Sequence, residues 1–276
     1  YNVNSVGWGS PFLLVPEATS VDKDTRALLA HAKEDDLYLS HISPLGIPFN
    51  TVRGTTNEKL KLKRIAQNKA GSSCPKRFLA LSKEYGPKGI CSSSKKYQDL
   101  KLDELELQKD VLSPEIFEKK KSSITEKACL CVGLANAAYL ENDIEIKGQA
   151  QGVIICPGPN MAYFDQEVSL SKMVQHIYGN TSVLTVTDRP NLFVKELKMY
   201  LDYLKNEIKD VTEEVTLAQI KRWNSFKNNL FLGIGYYEDL LSTSSFFEGT
   251  KKEILRQFDS YKNELIAFEI PELKTV

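Results

Sequence analysis

The stretch Val6-Gly7-Trp8-Gly9-Ser10-Pro11-Phe12-Leu13-Leu14-Val15 decides how this chain is read. Phe12 to Val15 is an apolar run between Gly9-Ser10-Pro11 and Pro16, the pattern of a short buried strand. The glycines before it let backbone approach a ligand closely, and amides left free in such a turn can hold phosphate oxygens. Gly7, Gly9 and Ser10 are therefore candidate anion-binding residues. An ordinary turn is the alternative, because a lone Gly-x-Gly is a weak signature.

The rest of residues 1–56 has the same apolar, turn-rich texture. Asp22 to Ala32 reads as a short helix and Leu37 to Ile42 as a second strand. Ser43-Pro44-Leu45-Gly46-Ile47-Pro48 then breaks regular structure. Residues 57–180 hold every cysteine. A basic helical patch, Asn57 to Lys69, leads into a loop around Cys74, and a second Gly/Pro loop carries Cys91. Leu100 to Leu112 reads as a polar helix, and Ser113-Pro114 opens another, with Ser as N-cap and Pro at the first helical position. Thr125 is placed to cap a helix running to about Asn142, with Leu130, Leu134 and Ala138 on its apolar face. Gly152 to Cys156 is a short β-branched run, and Ser169 to Tyr178 is helical. Residues 181–276 read as purely helical. Leu197, Leu201, Leu204 and Ile208 form one stripe, and Ile254, Phe258, Tyr261, Leu265 and Phe268 another. Between them Leu217 to Leu241 is expected to break near Gly233 and Gly235. Such stripes are core, because burial requires the 3.6-residue period.

Composition excludes several classes. The 276 residues carry 36 basic and 36 acidic side chains, and this zero net charge argues against a dedicated nucleic-acid binder. With 42% hydrophobic residues the chain can bury a real core. No run of about 18 uncharged apolar residues is present, so no membrane span is expected. Five cysteines are too few for a disulfide scaffold, and a reducing, cytoplasmic compartment is expected. The chain opens on Tyr1 without a basic-then-apolar leader, which reads as a beginning inside a longer product.

Two sets of side chains could carry chemistry. Cys129 and Cys131 are one residue apart, while Cys74 and Cys91 lie in loops. Loop thiols and a close pair can converge on one metal, since four thiolates satisfy tetrahedral zinc or an iron–sulfur cluster. Small buried core thiols are the alternative. Cys156, on its β-branched run, reads as core. The histidines His31, His41 and His176 fall in no recognisable base or ligand spacing. Neither a nucleophile–base arrangement nor a P-loop is present. The lysine run Lys119 to Lys121 is a solvated face.

Taken in order, these pieces resemble the C-terminal half of the flavin-dependent nitronate monooxygenase (2-nitropropane dioxygenase-like) family. The resemblance includes the branch with trans-acting enoyl reductases of polyunsaturated fatty acid synthases. Residues 6–12, followed by Glu17, resemble the family's Gly-Thr-x-Phe strand and the acidic residue beyond it. Residues 43–49 with Gly54-Thr55 resemble its Ser-Pro-x-Gly-x-Pro-Phe…Gly-Thr segment. Lys127-Ala128-Cys129-Leu130-Cys131-Val132-Gly133-Leu134 resembles its Lys-Cys-Leu-Cys helix start, and residues 152–160 its closing strand and turn. The match spans roughly residues 5–178, and one branch of the family has thiols at all four of the positions 74, 91, 129 and 131.

The resemblance implies an α/β fold: the C-terminal portion of a TIM-barrel FMN oxidoreductase, with an α-rich cysteine-bearing excursion over 57–180 and an all-helical tail over 181–276. It implies FMN phosphate on Gly7, Gly9 and Ser10, with Ser10 in place of the family's Thr, and a nitronate or an enoyl thioester as substrate. The first barrel strands and the family's catalytic histidine have no counterpart here, so the remainder of the barrel, in this chain's longer product or in another chain, is the implied partner. Two readings follow. One is a portion of a flavoenzyme; the other is a non-catalytic module in which Cys74, Cys91, Cys129 and Cys131 bind zinc or an iron–sulfur cluster and the tail mediates assembly.

Overall fold

The structure, a computed structural model, describes residues 9–72, 74, 77–79, 81–146, 152–186, 191–211, 215–243 and 250–272. It is a mixed α/β chain, mostly helical, that divides into two compact units, Tyr1–Thr187 and Asp188–Val276.

The apolar run at 12–15 is not a strand. Ser10–Leu14 forms a 3-10 helix in which Phe12 N donates to Gly9 O at 3.0 Å and Val15 N to Phe12 O at 3.1 Å. Pro11 suits this turn, because its missing donor falls where a helix start has no partner to give it. Four apolar residues are too few for periodicity to separate the two shapes. Burial is the same in either: Leu14 and Val15 are completely enclosed.

The only sheet among the described residues is an antiparallel pair, β1 (Leu37–Ser40) and β2 (Phe49–Val52), with Leu37 opposite Val52 and Ser40 opposite Phe49. Gly46, at φ +74°, turns the chain between them. No parallel strands occur among the described residues, so the TIM-barrel portion expected from the resemblance is not shown. Residues 152–156, expected as a strand, join no sheet and run between helices instead. Val153 O accepts from Asn57 N at 3.3 Å, and Ile154 N donates to Gly133 O at 2.9 Å.

Among the described residues the first unit also holds six α-helices: α1 (Lys23–Ala30), α2 (Thr56–Ala66), α3 (Lys95–Glu106), α4 (Pro114–Glu126), α5 (Leu130–Glu141) and α6 (Leu170–Ile177). Local capping sets most of their starts. Asp22, Thr55, Ser94, Ser113 and Ser169 each accept a backbone N–H from the first turn. Thr125 caps nothing; it lies in the last turn of α4 and donates to Lys121 O at 2.9 Å. The chain leaves the helix at Lys127, and α5 restarts with Cys129 at its N-cap. Its inward face is Leu130, Val132, Gly133, Asn136 and Ala137, while Leu134 is 44% exposed. Gly133 sets that rotation, because Ile154 packs where its side chain would be. The core joins Leu14, Leu29, Val52, Val153, Ile155 and Met161, so residues from 1–56 and from 57–180 share it.

The second unit packs α7 (Leu192–Lys209), α8 (Leu217–Thr243) and α9 (Lys251–Ala267) around Leu201, Ile234, Phe258 and Leu265. The stripes fall where the 3.6-residue period places them. The expected break in α8 does not occur. Ile234, flanked by Gly233 and Gly235, is fully buried, and its packing offsets the ~1 kcal/mol that each glycine costs a helix.

Candidate functional site

The cysteine-bearing segments meet in one place, and a side chain that the sequence did not single out joins them. Gln98, on α3, is 1% exposed. Its Oε1 accepts from Gly71 N at 2.7 Å, three residues before Cys74. Its Nε2 donates to Lys127 O at 3.0 Å, two residues before Cys129, and to Ser92 O at 3.4 Å, next to Cys91. One buried amide therefore spans the three segments that carry all four thiols. Backbone bonds reinforce it: Lys95 N donates to Ser72 O at 3.1 Å and Ser94 N to Cys91 O at 3.0 Å. On the far side Ala128 N donates to Ile42 O at 2.9 Å, and the Lys127 ammonium donates to His41 O.

The thiols follow their segments. Cys91 is buried, while Cys74, Cys129 and Cys131 are half-buried. Cys74 Sγ accepts from Arg77 N at 3.1 Å, and Cys91 Sγ lies 3.1 Å from Ser93 Oγ. Cys129 Sγ accepts from Val132 N in the first turn of α5. Burial pushes the Cys129 thiol up to about 11, and Cys74, Cys131 and Cys91 all lie close enough to raise it further. Burial also raises Cys131, again with Cys91 and Cys74 contributing. Cys156 stands apart: it is largely exposed, and its neighbour is the backbone of Asn50. Cys74, Cys91, Cys129 and Cys131 thus lie within electrostatic reach of one another, and the fifth cysteine is not among them.

The donor set is four thiols without histidine or carboxylate, which suits zinc or an iron–sulfur cluster over harder cations. The set does not close on a metal position. Among the described residues, no three His, Cys, Asp or Glu side chains have the tight arrangement that would by itself hold a metal ion. The N–H donors on Cys74 and Cys129 are the kind that favour thiolates, and an α-helix N-terminus does the same.

The expected phosphate grip is placed differently. Gly7 lies outside the described residues, and Gly9 and Ser10 open the short 3-10 helix rather than a strand. Ser10 Oγ accepts from Gly158 N at 2.8 Å, which locks residue 10 to the 157–160 turn and leaves the hydroxyl proton of Ser10 available to an acceptor. His31 is the C-cap of α1, and His176 ends α6 with its Nδ1 3.4 Å from Thr181 O. His41 meets the thiol region through its backbone. No helix among the described residues is long and apolar enough to cross a membrane. Compared with protein-family models, curated proteins and solved structures, the chain matches none.

Proposed function

We propose that Cys74, Cys91, Cys129 and Cys131 bind one metal, zinc in the first instance, and that this centre staples the first unit together in a non-catalytic, assembly-supporting role. One observation carries the reading. Gln98 holds the three cysteine-bearing segments together by hydrogen bonds that involve none of the thiols. The scaffold of the site is therefore built before any ligand enters. Zinc would bind the thiolates, give up none of its charge to redox chemistry, and return its binding free energy as folding free energy. Elemental analysis of the purified chain tests this. About one zinc per chain is expected, lost in Cys129→Ser together with a large fall in melting temperature and retained in Cys156→Ser. A chain that holds no metal after expression with added zinc or iron, or that loses it equally in both variants, refutes the reading.

A flavoenzyme portion is the second reading, and the packing of the resembling segments favours it. Residues 10–15, 42–54, 127–136 and 152–161 are joined by direct bonds, among them Gly158 N to Ser10 and Ala128 N to Ile42 O. Ser10 keeps a free hydroxyl proton. In this reading FMN supplies the redox step, Gly7, Gly9 and Ser10 hold its phosphate, and the barrel strands, of which the described residues form none, would come from elsewhere. A yellow full-length protein with a bound-flavin absorption spectrum would support it. A colourless one that takes up no added FMN would end it.

A further inference from the structure

The neutral chain conceals a strongly basic window. Residues 57–101 hold twelve Lys and Arg against three Asp and Glu. Part of that excess gathers on one cavity of about 520 Å3, a size typical of small-molecule sites. Arg77, Lys88, Lys95 and Lys96 line it, no carboxylate does, and none of the four has an ion-pair partner among the described residues. Elsewhere in the same unit lysines are paired off, as Lys101 is with Glu84 and Glu104. Four like charges around one hollow repel each other, and among the described residues no carboxylate lines the hollow to offset them. Asp99 lines the neighbouring cleft, which Lys95 also borders.

We infer that this cavity is a binding site for a small phosphate-bearing ligand carrying two or more negative charges, such as a diphosphate group. Arg77 supplies a planar fork that matches phosphate oxygens in pairs, and the three lysines supply mobile point charges. The start of α3 is not the grip, because Ser94 caps it internally by accepting from Tyr97 N at 3.3 Å. Cys74 and Cys91 form part of the wall. A zinc held by four thiolates would carry two negative charges, fewer than the four cations, so the cavity stays positive with or without the metal. The inference therefore does not depend on the metal reading.

Calorimetric titration of the purified chain with inorganic pyrophosphate, at fixed ionic strength, tests it. Saturable one-site binding is expected, stronger than that of sulfate. The Arg77→Ala/Lys88→Ala/Lys96→Ala variant should bind at least tenfold more weakly while its circular dichroism and melting stay unchanged. Lys63→Ala, in the neighbouring cleft, should bind normally. No heat of binding, affinity no better than sulfate, or equal losses in both variants would overturn the assignment. Elemental analysis of the same sample separates the two proposals: binding without metal defeats only the zinc reading, and metal without binding defeats only this one.

Discussion

Replacing Gln98 by Met is the most informative single change. Methionine keeps the volume and reach of the side chain but removes all three hydrogen bonds, to Gly71 N, Ser92 O and Lys127 O. Each such bond contributes about 0.5–1.5 kcal/mol net, so the loss sums to roughly 1.5–4.5 kcal/mol. The middle of that range is the better expectation, because Gln98 is enclosed while the three groups it abandons are half-buried. A unit of this size shifts its melting temperature by about 2–4 °C per kcal/mol, which gives a fall on the order of 10 °C. Differential scanning calorimetry of the full chain reads it directly. The thiols should also lose their alignment, so zinc affinity falls by about 10–100-fold, the usual cost of removing a group that orients metal ligands. A Gln98→Met protein that melts within about 1 °C of the parent would refute the claim that this amide holds the segments together.

Gly152→Ala should be far more damaging than an ordinary surface change, because a Cβ there would collide with the backbone of Thr56 and Asn57; expression yield and urea midpoint would show it. Arg26→Met removes the partner that Glu141 and Glu167 share at 2.8 Å and 3.0 Å. Since both carboxylates are partly exposed, the cost should be about 2 kcal/mol rather than the full value of a buried pair, measured by urea unfolding. The pH dependence should reverse with metal. In chelator-treated protein Cys129 stays protonated up to about 11, so its contribution to stability is complete below the ordinary thiol value of 9.0 and is lost as pH climbs between the two. In zinc-loaded protein the thiols are already ionised, and stability should instead fall on the acid side as protons compete with metal. Urea midpoints between pH 5 and 11, with and without zinc, would separate the two.

What the sequence made legible was what depends on near neighbours. Ser113-Pro114 and Ser169 announce their helices because a cap needs only its own first turn. The tail is legible for the same reason, since its stripes repeat over many turns. The short apolar runs were not. Leu14, Val15 and Val153 to Ile155 are buried as expected, with Phe12 and Leu13 half-buried, yet whether these runs coil, extend or pair is decided by partners far along the chain: Val168 N on Leu14 O, and Asn57 N on Val153 O. The strand at Phe49–Val52 hides behind Ile47-Pro48, whose breaking signal masks the hairpin that it opens. Overall neutrality misled in a similar way, because a sum over 276 residues erases the basic window at 57–101.

The site shows the same division more sharply. Thiol chemistry singles out Cys74, Cys91, Cys129 and Cys131, but nothing in a linear reading singles out Gln98, an amide on a helix that scans as polar surface. Its importance comes from closing three loops at once, which spacing cannot express. That closure bears on function. Four thiols gathered without a cation are costly to ionise, as the raised Cys129 and Cys131 show, and packing alone does not require them to be neighbours, because small apolar residues would fill the same space at no electrostatic cost. The fold nevertheless keeps them within electrostatic reach and anchors each segment through separate bonds: Gln98 to Gly71, Gln98 to Lys127, and Ala128 to Ile42. A scaffold that fixes ligand-bearing loops independently of the ligands is preorganised, and preorganisation reduces the entropy a binding metal must offset. A divalent cation entering this set would replace thiol protons by metal bonds, and the protons released would tie its binding to pH.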